Sequence, residues 1–543
     1  MAAAEERSMF STLIKGAVLA VTAMMLGASG TSAAVFQYRI ALSTDRGERS
    51  AFLWVPAEAA SIRGVVMGGM TLMEREFVKD PQIRRACVEQ WLAIVFLKCG
   101  LGSVEPQDVL DRFAAVSGYG ELSVAPVMFV GHSAGGPQAK VWATKMHERC
   151  FGLVQYRGGT PGGSDSVPGG VPVLMMTGQF DEFGGTMRDA GGRETWEGGR
   201  DALAAYRAAN PGNLASIVVE PGAGHFAWSD RNAAYLAMFI GKAAEYCIPQ
   251  WQAGAKEPVQ TKQIGHRDGW LSDLCIEAPE LPPAQWEAYG GDRSWAAWHF
   301  DREMAEATVA YHAGGFGKKD QFIEWEDPYW VDAGTRFFFT RIEWVGDGQE
   351  FRVHPAYAEQ YPSQHKGRGP RWLEAGKPVG HAGTGIFVRQ VSGPVVVAGP
   401  NTLRMRYDNL AAATERSRVT FMAYSRGDSE YRYTEQVGMM PRGFSGLKKG
   451  DEQTITFPSV PDLVVGGDPV RLDATSTSGL AVEYYVACGP ARVEKGMLRI
   501  AELPVRARLP VEVRVVAYQF GSGIEPLVRT AVPVERVTQI RRP

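Results

Sequence analysis

The pentapeptide 131–135 reads Gly-His-Ser-Ala-Gly and places a serine between two glycines. A serine hydroxyl is a poor nucleophile near neutral pH, so it attacks a carbonyl only when a positioned base accepts its proton. An apolar β-type run (126–130) precedes the pentapeptide, and a helix-compatible stretch (138–148) follows it. A sharp turn between strand and helix exposes such a serine, and its strained backbone leaves no room for neighbouring side chains. Ser133 is therefore the predicted nucleophile.

The base that this serine requires must come from a small set of histidines. The chain has nine, and only His147 and His225 follow the serine within the alternating region 36–248. His147 lies on the helix predicted after the serine, where it points away from the edge of the sheet. His225 lies in the glycine-rich segment 221–226, directly after an apolar run. Catalytic groups of open α/β sheets gather just past the carboxyl ends of strands, so we predict His225 as the base.

A carboxylate is needed to orient the imidazole and to stabilise its positive charge. Asp181 follows the apolar run 171–177 and therefore also lies in a loop after a strand. Glu182, its neighbour, and Asp165, after the preceding strand, are rival candidates. Asp181 is our preferred acid because it lies between the serine and His225 in chain order.

The elements that must position these residues alternate between short apolar runs and amphipathic stretches, a pattern typical of a mostly parallel sheet covered by helices. The sequence predicts strands at 36–43, 48–56, 63–68, 92–98, 126–131, 152–157, 171–177 and 215–220. It predicts helices at 80–90, 106–116, 135–148, 195–209 and 230–245. A polar turn at 44–47 makes the first two strands an antiparallel hairpin. The predicted class is α/β, with a doubly wound sheet.

Residues 36–248 resemble an α/β-hydrolase, because Ser133, Asp181 and His225 match the catalytic triad of that family in chain order and in strand context. The resemblance implies that the oxyanion hole uses the backbone N–H of Ala134 and a second N–H from the loop after the third strand. That loop begins Gly-Gly here instead of the frequent His-Gly, so either Gly69 or Met70 could supply the second donor. The family's chemistry requires no metal and no organic cofactor.

The segment Gly158–Gly170 separates the strand predicted at 152–157 from the strand predicted at 171–177, which precedes Asp181. Many lipases carry a helical cap at this place. Here the segment has about a dozen residues, mostly Gly, Ser and Pro, and is too short for a large lid. An uncapped site is shallow and open. It suits a large polar chain that carries a small acyl group better than it suits a lipid tail.

The rest of the chain divides by composition into further regions. We predict a signal peptide at 1–34, the hydrolase domain at 35–250, a Trp-rich linker and β-rich domain at 251–450, and a β-sandwich at 451–543. The last region resembles bacterial immunoglobulin-like modules in the runs Leu472–Pro490, Gly496–Ile500 and Val511–Tyr518. Eight tryptophans of the middle region could form a sugar-stacking platform or fill cores, and core filling is the stronger interpretation: Trp270, Trp286, Trp295, Trp298, Trp325, Trp330, Trp344 and Trp372.

The first 34 residues have the pattern of an export signal. Arg7 and Lys15 precede the apolar stretch Gly16–Leu26, and small residues end at Ala34. The apolar stretch is too short to span a bilayer, which needs about 20 residues, so we expect a secreted or periplasmic protein without a membrane anchor. The six cysteines lack metal-site spacing and do not reveal any pairing.

The charge composition indicates which classes of partner the protein is not built to bind. The chain carries 57 basic and 60 acidic residues, for a net charge of −3, and shows no Lys/Arg block. Nothing is therefore built to neutralise a phosphate backbone, and nucleic acid is excluded as an expected partner.

Together these features predict a secreted serine esterase that removes acetyl or feruloyl groups from polysaccharide, similar to bacterial acetyl xylan and feruloyl esterases. Two alternatives remain. One is an exported serine peptidase of the prolyl oligopeptidase type, which shares the G-x-S-x-G-G run at 131–136 but usually carries a β-propeller ahead of its hydrolase domain. The other is a polysaccharide-binding protein that uses the hydrolase domain as an inactive scaffold.

Overall fold

The computed structural model describes residues 34–543 except 46, 70–73, 164–165, 182–194, 253, 275–278, 327, 330–338, 362–375, 416–417 and 441–445. The predicted signal peptide lies outside the described residues. Residues Ala34–Pro543 belong to one compact unit.

An eight-stranded mixed sheet forms the first part of this unit, with its strands in the order β1-β2-β4-β3-β5-β6-β7-β8. Strands β1 and β2 form an antiparallel hairpin in which Thr44 pairs with Gly47, and β3 to β8 run parallel. The strands are β1 Tyr38–Thr44, β2 Gly47–Trp54, β3 Gly64–Gly69, β4 Leu92–Leu97, β5 Val127–His132, β6 Cys150–Tyr156, β7 Val173–Gly178 and β8 Ala215–Glu220.

Helices cover both faces of this sheet, which explains why its parallel strands are nearly continuous apolar runs. The helices are α1 Glu74–Lys79, α2 Pro81–Glu89, α3 Pro106–Ser117, α4 Gly135–Lys145, α5 Thr195–Ala209 and α6 Asp230–Cys247. Helices α2 and α6 pack into the hydrophobic core on one face, and α3, α4 and α5 pack into the core on the other. Local signals fix some of their ends: Asp80 caps α2, and Gly118 ends α3 at φ 85°.

The α/β class is confirmed, and each strand and helix predicted from residues 36–248 corresponds to an observed element. Two boundaries differ in an informative way. Helix α4 ends at Lys145, because 147–149 form a separate 3₁₀ turn. Helix α1 was not predicted, since six residues are too few to show a helical period.

The strand order creates a crevice at the carboxyl edge of the sheet. The chain leaves β3 towards β4 on one side and leaves β5 towards β6 on the other, although β3 and β5 are neighbours. Loops that depart in opposite directions open a gap between two adjacent strands, and this is where open α/β sheets bind ligands.

A small sheet and one helix cover the free edge of the large sheet at β8. The small sheet has the order β10-β9-β11 and consists of β9 Trp270–Asp273, β10 Ala284–Gln285 and β11 Ala296–His299. Helix α7, Arg302–Ala313, follows it. The prediction of a linker and β-rich domain missed this helix, whose buried side chains nonetheless recur at helical spacing: Met304, Ala305, Thr308, Tyr311 and His312.

His312 on α7 satisfies a backbone donor of the edge strand. The Val219 N–H donates to His312 Nε2 at 3.1 Å. Burial, and then the nearby Arg231, lower the pKa of His312 to about 3, so the imidazole is neutral and accepts the bond. An edge strand of a sheet is otherwise open to pairing with other chains.

The His312→Leu variant should be less stable than the wild type by about 1–3 kcal/mol, because the Val219 N–H would lose its buried partner. Free histidine titrates near 6.5, so below that pH the unfolded chain binds a proton that folded His312 does not bind. The stability of the wild type should therefore fall from pH 6.5 towards 3, and the variant should lack this part of the loss. Urea unfolding across this range measures both effects. Equal midpoints for the variant and for the exposed-site control His147→Leu would contradict the assignment.

Strands dominate the remaining chain. A five-stranded sheet has the order β13-β14-β22-β21-β18, and a four-stranded sheet has the order β15-β16-β20-β19. The strands are β12 Ile323–Trp325, β13 Pro328–Tyr329, β14 Phe339–Thr340, β15 Glu343–Val345, β16 Glu350–Arg352, β17 Pro355–Tyr357, β18 Phe387–Ser392, β19 Val395–Gly399, β20 Thr402–Met405, β21 Thr420–Ser425 and β22 Thr434–Met439.

The C-terminal strands form a four-stranded sheet β24-β31-β30-β27 and a three-stranded sheet β25-β29-β28, which share one hydrophobic core. These strands are β23 Ile455–Thr456, β24 Leu463–Val464, β25 Val470–Arg471, β26 Thr475–Ser476, β27 Glu483–Cys488, β28 Ala491–Glu494, β29 Met497–Ile500, β30 Val511–Tyr518 and β31 Val534–Arg541. The arrangement is that of two stacked sheets, and its immunoglobulin-like character stays a prediction.

Two of the hydrophobic cores cross the domain boundaries proposed from composition. Phe351 and Phe421 of the middle region share a core with Tyr485 and Tyr518 of the C-terminal region. Strand residues Met422 and Val437 join the core of the large sheet. The core between the two C-terminal sheets, in contrast, lies entirely within 451–543.

Three of the eight tryptophans considered for a platform are buried, and Trp270 and Trp344 are half-buried. Trp286 and Trp298 lie in the core that covers one face of the large sheet, and Trp325 lies in the core of the β-rich region. Trp295 is exposed, while Trp330 and Trp372 lie outside the described residues. The cysteines that the structure describes are all unpaired and buried.

Candidate active site

Ser133 occupies the turn between β5 and α4 with a strained backbone. Its φ is +53°, a left-handed conformation that costs a non-glycine residue about 1–2 kcal/mol. A Cβ added at Gly131 would lie 2.1 Å from the Gly135 oxygen, and one at Gly158 would lie 2.3 Å from the Ser133 oxygen. The turn therefore requires glycine around it. Ser133 itself is half-buried and the next residue is exposed, so the serine turn is open to solvent.

Asp181 and His225 form a buried pair at the same edge of the sheet. His225 Nδ1 lies 2.9 Å from both Oδ1 and Oδ2 of Asp181, and each residue is 3% exposed. A carboxylate only accepts hydrogen bonds, so Nδ1 carries the proton. The neutral imidazole then has an unprotonated Nε2, which is the form that can accept a proton from a hydroxyl.

The loops that carry this pair are hydrogen-bonded to each other. The Gln179 N–H donates to the Glu220 oxygen at 3.0 Å, and the Phe180 N–H donates to the Ala223 oxygen at 2.9 Å. These bonds continue the parallel pairing of β7 and β8 beyond the ends of both strands. They set the spacing between the residues that follow, Asp181 and His225.

His132 links the serine turn to the loop 221–226, which contains His225 and is called the histidine loop. Its Nε2 lies 3.1 Å from the His225 carbonyl oxygen, so Nε2 is the protonated nitrogen. The two rings also touch, with centroids 4.9 Å apart. Burial, and then the neighbouring His225, lower the pKa of His132 well below its ordinary value. The neutral ring is thus a fixed donor, a role that the sequence analysis did not assign, although His132 lies inside the pentapeptide.

Glu220, the last residue of β8 before the loop 221–226, is a buried carboxylate that residues of β6's C-terminal loop and of α6 hold in place. It accepts a hydrogen bond from Arg157 Nη2 at 2.5 Å and another from Asn232 Nδ2 at 2.7 Å. Burial alone would raise the pKa of Glu220, but Arg157 and Arg231 outweigh burial and hold the pKa below its ordinary value. A carboxylate charge is therefore kept directly before the loop.

Two of the expected oxyanion donors, Ala134 and Gly69, lie at the carboxyl ends of the neighbouring strands β5 and β3. Ala134 is exposed at the start of α4, where the first N–H groups of a helix have no partner within the helix. Gly69 ends β3, the neighbour of the strand that leads to Ser133. A Cβ at Gly69 would lie 2.6 Å from the Leu101 nitrogen. Met70, the other candidate, lies outside the described residues.

The rival residues do not reach this site where the structure describes them. His147 is exposed and its Nδ1 faces the Thr144 oxygen at 3.1 Å. Asp165 and Glu182 lie outside the described residues.

No metal-binding arrangement is found in the described part of the chain. None of its groups of three or more His, Cys, Asp or Glu could hold a metal ion. Within the same residues, no helix has both the length and the apolar character to cross a bilayer.

Fold and site together define an α/β protein with a serine turn at a topological switch point and a His–Asp pair at the same carboxyl edge of the sheet. No family model matches the chain, and no curated protein matches it. One similar solved structure is a cold-adapted esterase from an Arctic intertidal metagenomic library, which is 17% identical over 37% of this chain and 92% of that chain, at TM-score 0.26. An esterase from Pyrobaculum calidifontis is 15% identical over 39% of this chain and 87% of that chain, at TM-score 0.28. An S-formylglutathione hydrolase from Agrobacterium tumefaciens is 14% identical over 40% of this chain and 98% of that chain, at TM-score 0.29. At this level of likeness, the function must be argued from the site itself.

Proposed function

We propose that this protein is a serine carboxylic-ester hydrolase that uses Ser133, His225 and Asp181. The observation that carries the proposal is the pairing of two costly features at one sheet edge. Ser133 is held in a strained turn at φ +53°, and at the same edge of the sheet a buried imidazole is oriented by a carboxylate 2.9 Å away. Strain of this kind persists only where the surrounding structure enforces it, and it concentrates at functional sites.

In the proposed reaction, His225 Nε2 takes the Ser133 proton as Oγ attacks the ester carbonyl. Asp181 stabilises the imidazolium that forms, and the backbone N–H groups of Ala134 and of the 69–70 segment hold the oxyanion. Loss of one such donor costs about 2.7–4 kcal/mol of transition-state stabilisation. The alcohol leaves with the proton from His225. Water then attacks the acyl-serine by the same route and releases the acid.

For the substrate, we propose a small acyl group, acetyl or feruloyl, on a polysaccharide met outside the cytoplasm. The half-buried Ser133 and exposed Ala134 support an open site. The segment after β6 packs against the serine turn at its start, since a Cβ on Gly136 would lie 2.1 Å from the Gly158 oxygen. An open crevice admits a polymer, whereas a long acyl chain gains little without an apolar tunnel to enclose it.

A fluorophosphonate probe tests the serine chemistry directly. We expect a single covalent adduct, which peptide mapping assigns to Ser133, and loss of p-nitrophenyl acetate hydrolysis in step with labelling. The same preparation should release acetate from acetylated xylan and should hydrolyse p-nitrophenyl palmitate more slowly than the acetate ester. An adduct on another residue would refute the serine assignment. Faster turnover of the palmitate ester would refute the polysaccharide assignment alone.

A further inference from the structure

The strongest unexplained feature near the site is a buried carboxylate from the β-rich region. Glu435, on β22, directs Oε1 to the Gly224 N–H at 3.0 Å, and Gly224 is the residue directly before His225. The Glu435 side chain is 2% exposed. Burying a carboxylate costs several kcal/mol unless donors compensate it. One of its oxygens nevertheless accepts a hydrogen bond from a backbone N–H of the histidine loop.

The peptide group between Ala223 and Gly224 is held from both sides. Its carbonyl oxygen accepts from the Phe180 N–H at 2.9 Å, and Phe180 precedes Asp181. Its N–H donates to Glu435. One rigid peptide plane therefore accepts a hydrogen bond from the Phe180 N–H and donates another to Glu435 on β22, so its orientation sets where the chain places His225 relative to Asp181.

A second group of contacts, which includes Arg432 just before β22, fixes the loop two peptides earlier. The Gly222 N–H donates to Gln179 Oε1 at 2.9 Å, and Arg432 Nη1 donates to the same oxygen at 3.1 Å. The approach is close, because a Cβ on Gly222 would lie 1.7 Å from the Tyr433 oxygen. Gly222 has φ +74°, so both its conformation and its contact with the β-rich region require glycine.

The other oxygen of Glu435 is held within the β-rich region. Tyr433 Oη donates to Oε2 at 2.5 Å, and Arg389 Nη2 lies 3.6 Å from the same atom. The carboxylate is thus immobilised through one oxygen and orients the loop through the other. The contacts of Oε2 therefore hold Glu435 in place, and the contact of Oε1 positions the loop.

We propose that Glu435 is a positioning residue for His225, so that the β-rich region completes the active site instead of acting as a separable module. The proposal rests on the proposed function of Ser133, His225 and Asp181. The proposed role requires that the side chain at position 435 be long enough to place an acceptor at the position of Oε1, within hydrogen-bond distance of the Gly224 N–H. A negative charge that only neutralised Arg389 would not need a side chain of that length.

Two substitutions separate reach from charge. Glu435→Gln keeps the length of the side chain and an oxygen acceptor, whereas Glu435→Asp keeps the charge but retracts the carboxylate by one methylene. We expect the Asp variant to lose about 10²-fold in kcat for p-nitrophenyl acetate with KM unchanged, since small misplacements of a catalytic group have effects of this size. The Gln variant should lose no more than about tenfold, because a neutral acceptor makes a weaker bond to the same donor. A purely ionic role for Glu435 predicts the reverse order and would overturn the proposal.

Glu483 provides a matched control in the same region. It accepts from Tyr518 Oη at 2.5 Å and from Arg404 Nη2 at 3.2 Å, which reproduces the Tyr–Glu–Arg grouping around Glu435. Glu483→Asp should lower thermal stability but leave kcat unchanged. A loss of kcat equal to that of Glu435→Asp would show that the β-rich region acts only through general stability, and the proposal would fail.

A readout that needs no ester keeps this test separate from the proposed function. With isotope-labelled histidine, the NMR signal of the His225 Nδ1–H should be sharp in the wild type, Glu435→Gln and Glu483→Asp proteins and broadened by exchange in Glu435→Asp. If the wild type hydrolyses no ester but this pattern holds, the proposed function fails and the positioning role stands. An unchanged signal and unchanged kcat in Glu435→Asp would overturn the positioning role alone.

Discussion

The Ser133→Ala variant should hydrolyse p-nitrophenyl acetate at least about 10³-fold more slowly than the wild type, because the members of a triad act as a unit. Without Oγ there is no acyl-serine, and His225 can at most activate water through the remaining site. Alanine keeps the Cβ, so the backbone strain at φ +53° is the same in both proteins. The variant should therefore unfold at the wild-type temperature and separate catalysis from folding.

Ser166→Ala is the matched control for this change. Ser166 lies in the segment after β6, is exposed, and donates from Oγ to the Gly163 oxygen at 2.7 Å. The control should retain wild-type kcat and wild-type labelling by the fluorophosphonate. Equal rates for Ser133→Ala and the wild type would remove the serine hydrolase assignment, whatever the substrate.

The Asp181→Asn variant should show the second large effect, a loss of kcat of about 10⁴-fold. An amide can donate to His225 Nδ1, which would move the imidazole proton to Nε2. The ring would then present a donor where Ser133 needs an acceptor, and the charge that stabilises the imidazolium would also be gone. Because asparagine has nearly the shape of aspartate, substrate affinity should change far less than kcat.

Asp230→Asn controls for the loss of a carboxylate near the site. Asp230 is exposed at the start of α6, shortly after His225 in the chain, and should tolerate the change with kcat intact. If Asp181→Asn kept more than about a tenth of the wild-type rate, the His225–Asp181 pair would be a structural contact, and the acid would have to be sought elsewhere.

The site residues that the sequence predicts are those that directly follow predicted strands. Ser133, Asp181 and His225 each follow an apolar run, and parallel strands bring their carboxyl ends to one edge of a sheet. Pattern and chain order are enough to select such residues as candidates. Their hydrogen-bond geometry, 2.9 Å from His225 Nδ1 to the carboxylate, follows from loop packing that no short motif encodes.

The contacts from the β-rich region could not be predicted in this way. Glu435 and Gly224 are 211 positions apart, and nothing around Glu435 in the sequence distinguishes it from a solvated strand residue. Arg432 has the same character. Only the three-dimensional path of β22 shows that these side chains are buried against a loop of another region. Helix α7 is a different case, since its helical period was present in the sequence but was overlooked among the tryptophans.

The long separation between the histidine loop and strand β22 has a consequence for biosynthesis. A nascent or prematurely terminated polypeptide that ends near residue 250 would contain all three proposed catalytic residues, but its loop 221–226 would lack the contact with Glu435. If the proposed function and the proposed role of Glu435 hold, such a product should hydrolyse esters far more slowly than the full chain. Full activity would then arise only after β22 has been translated and folded.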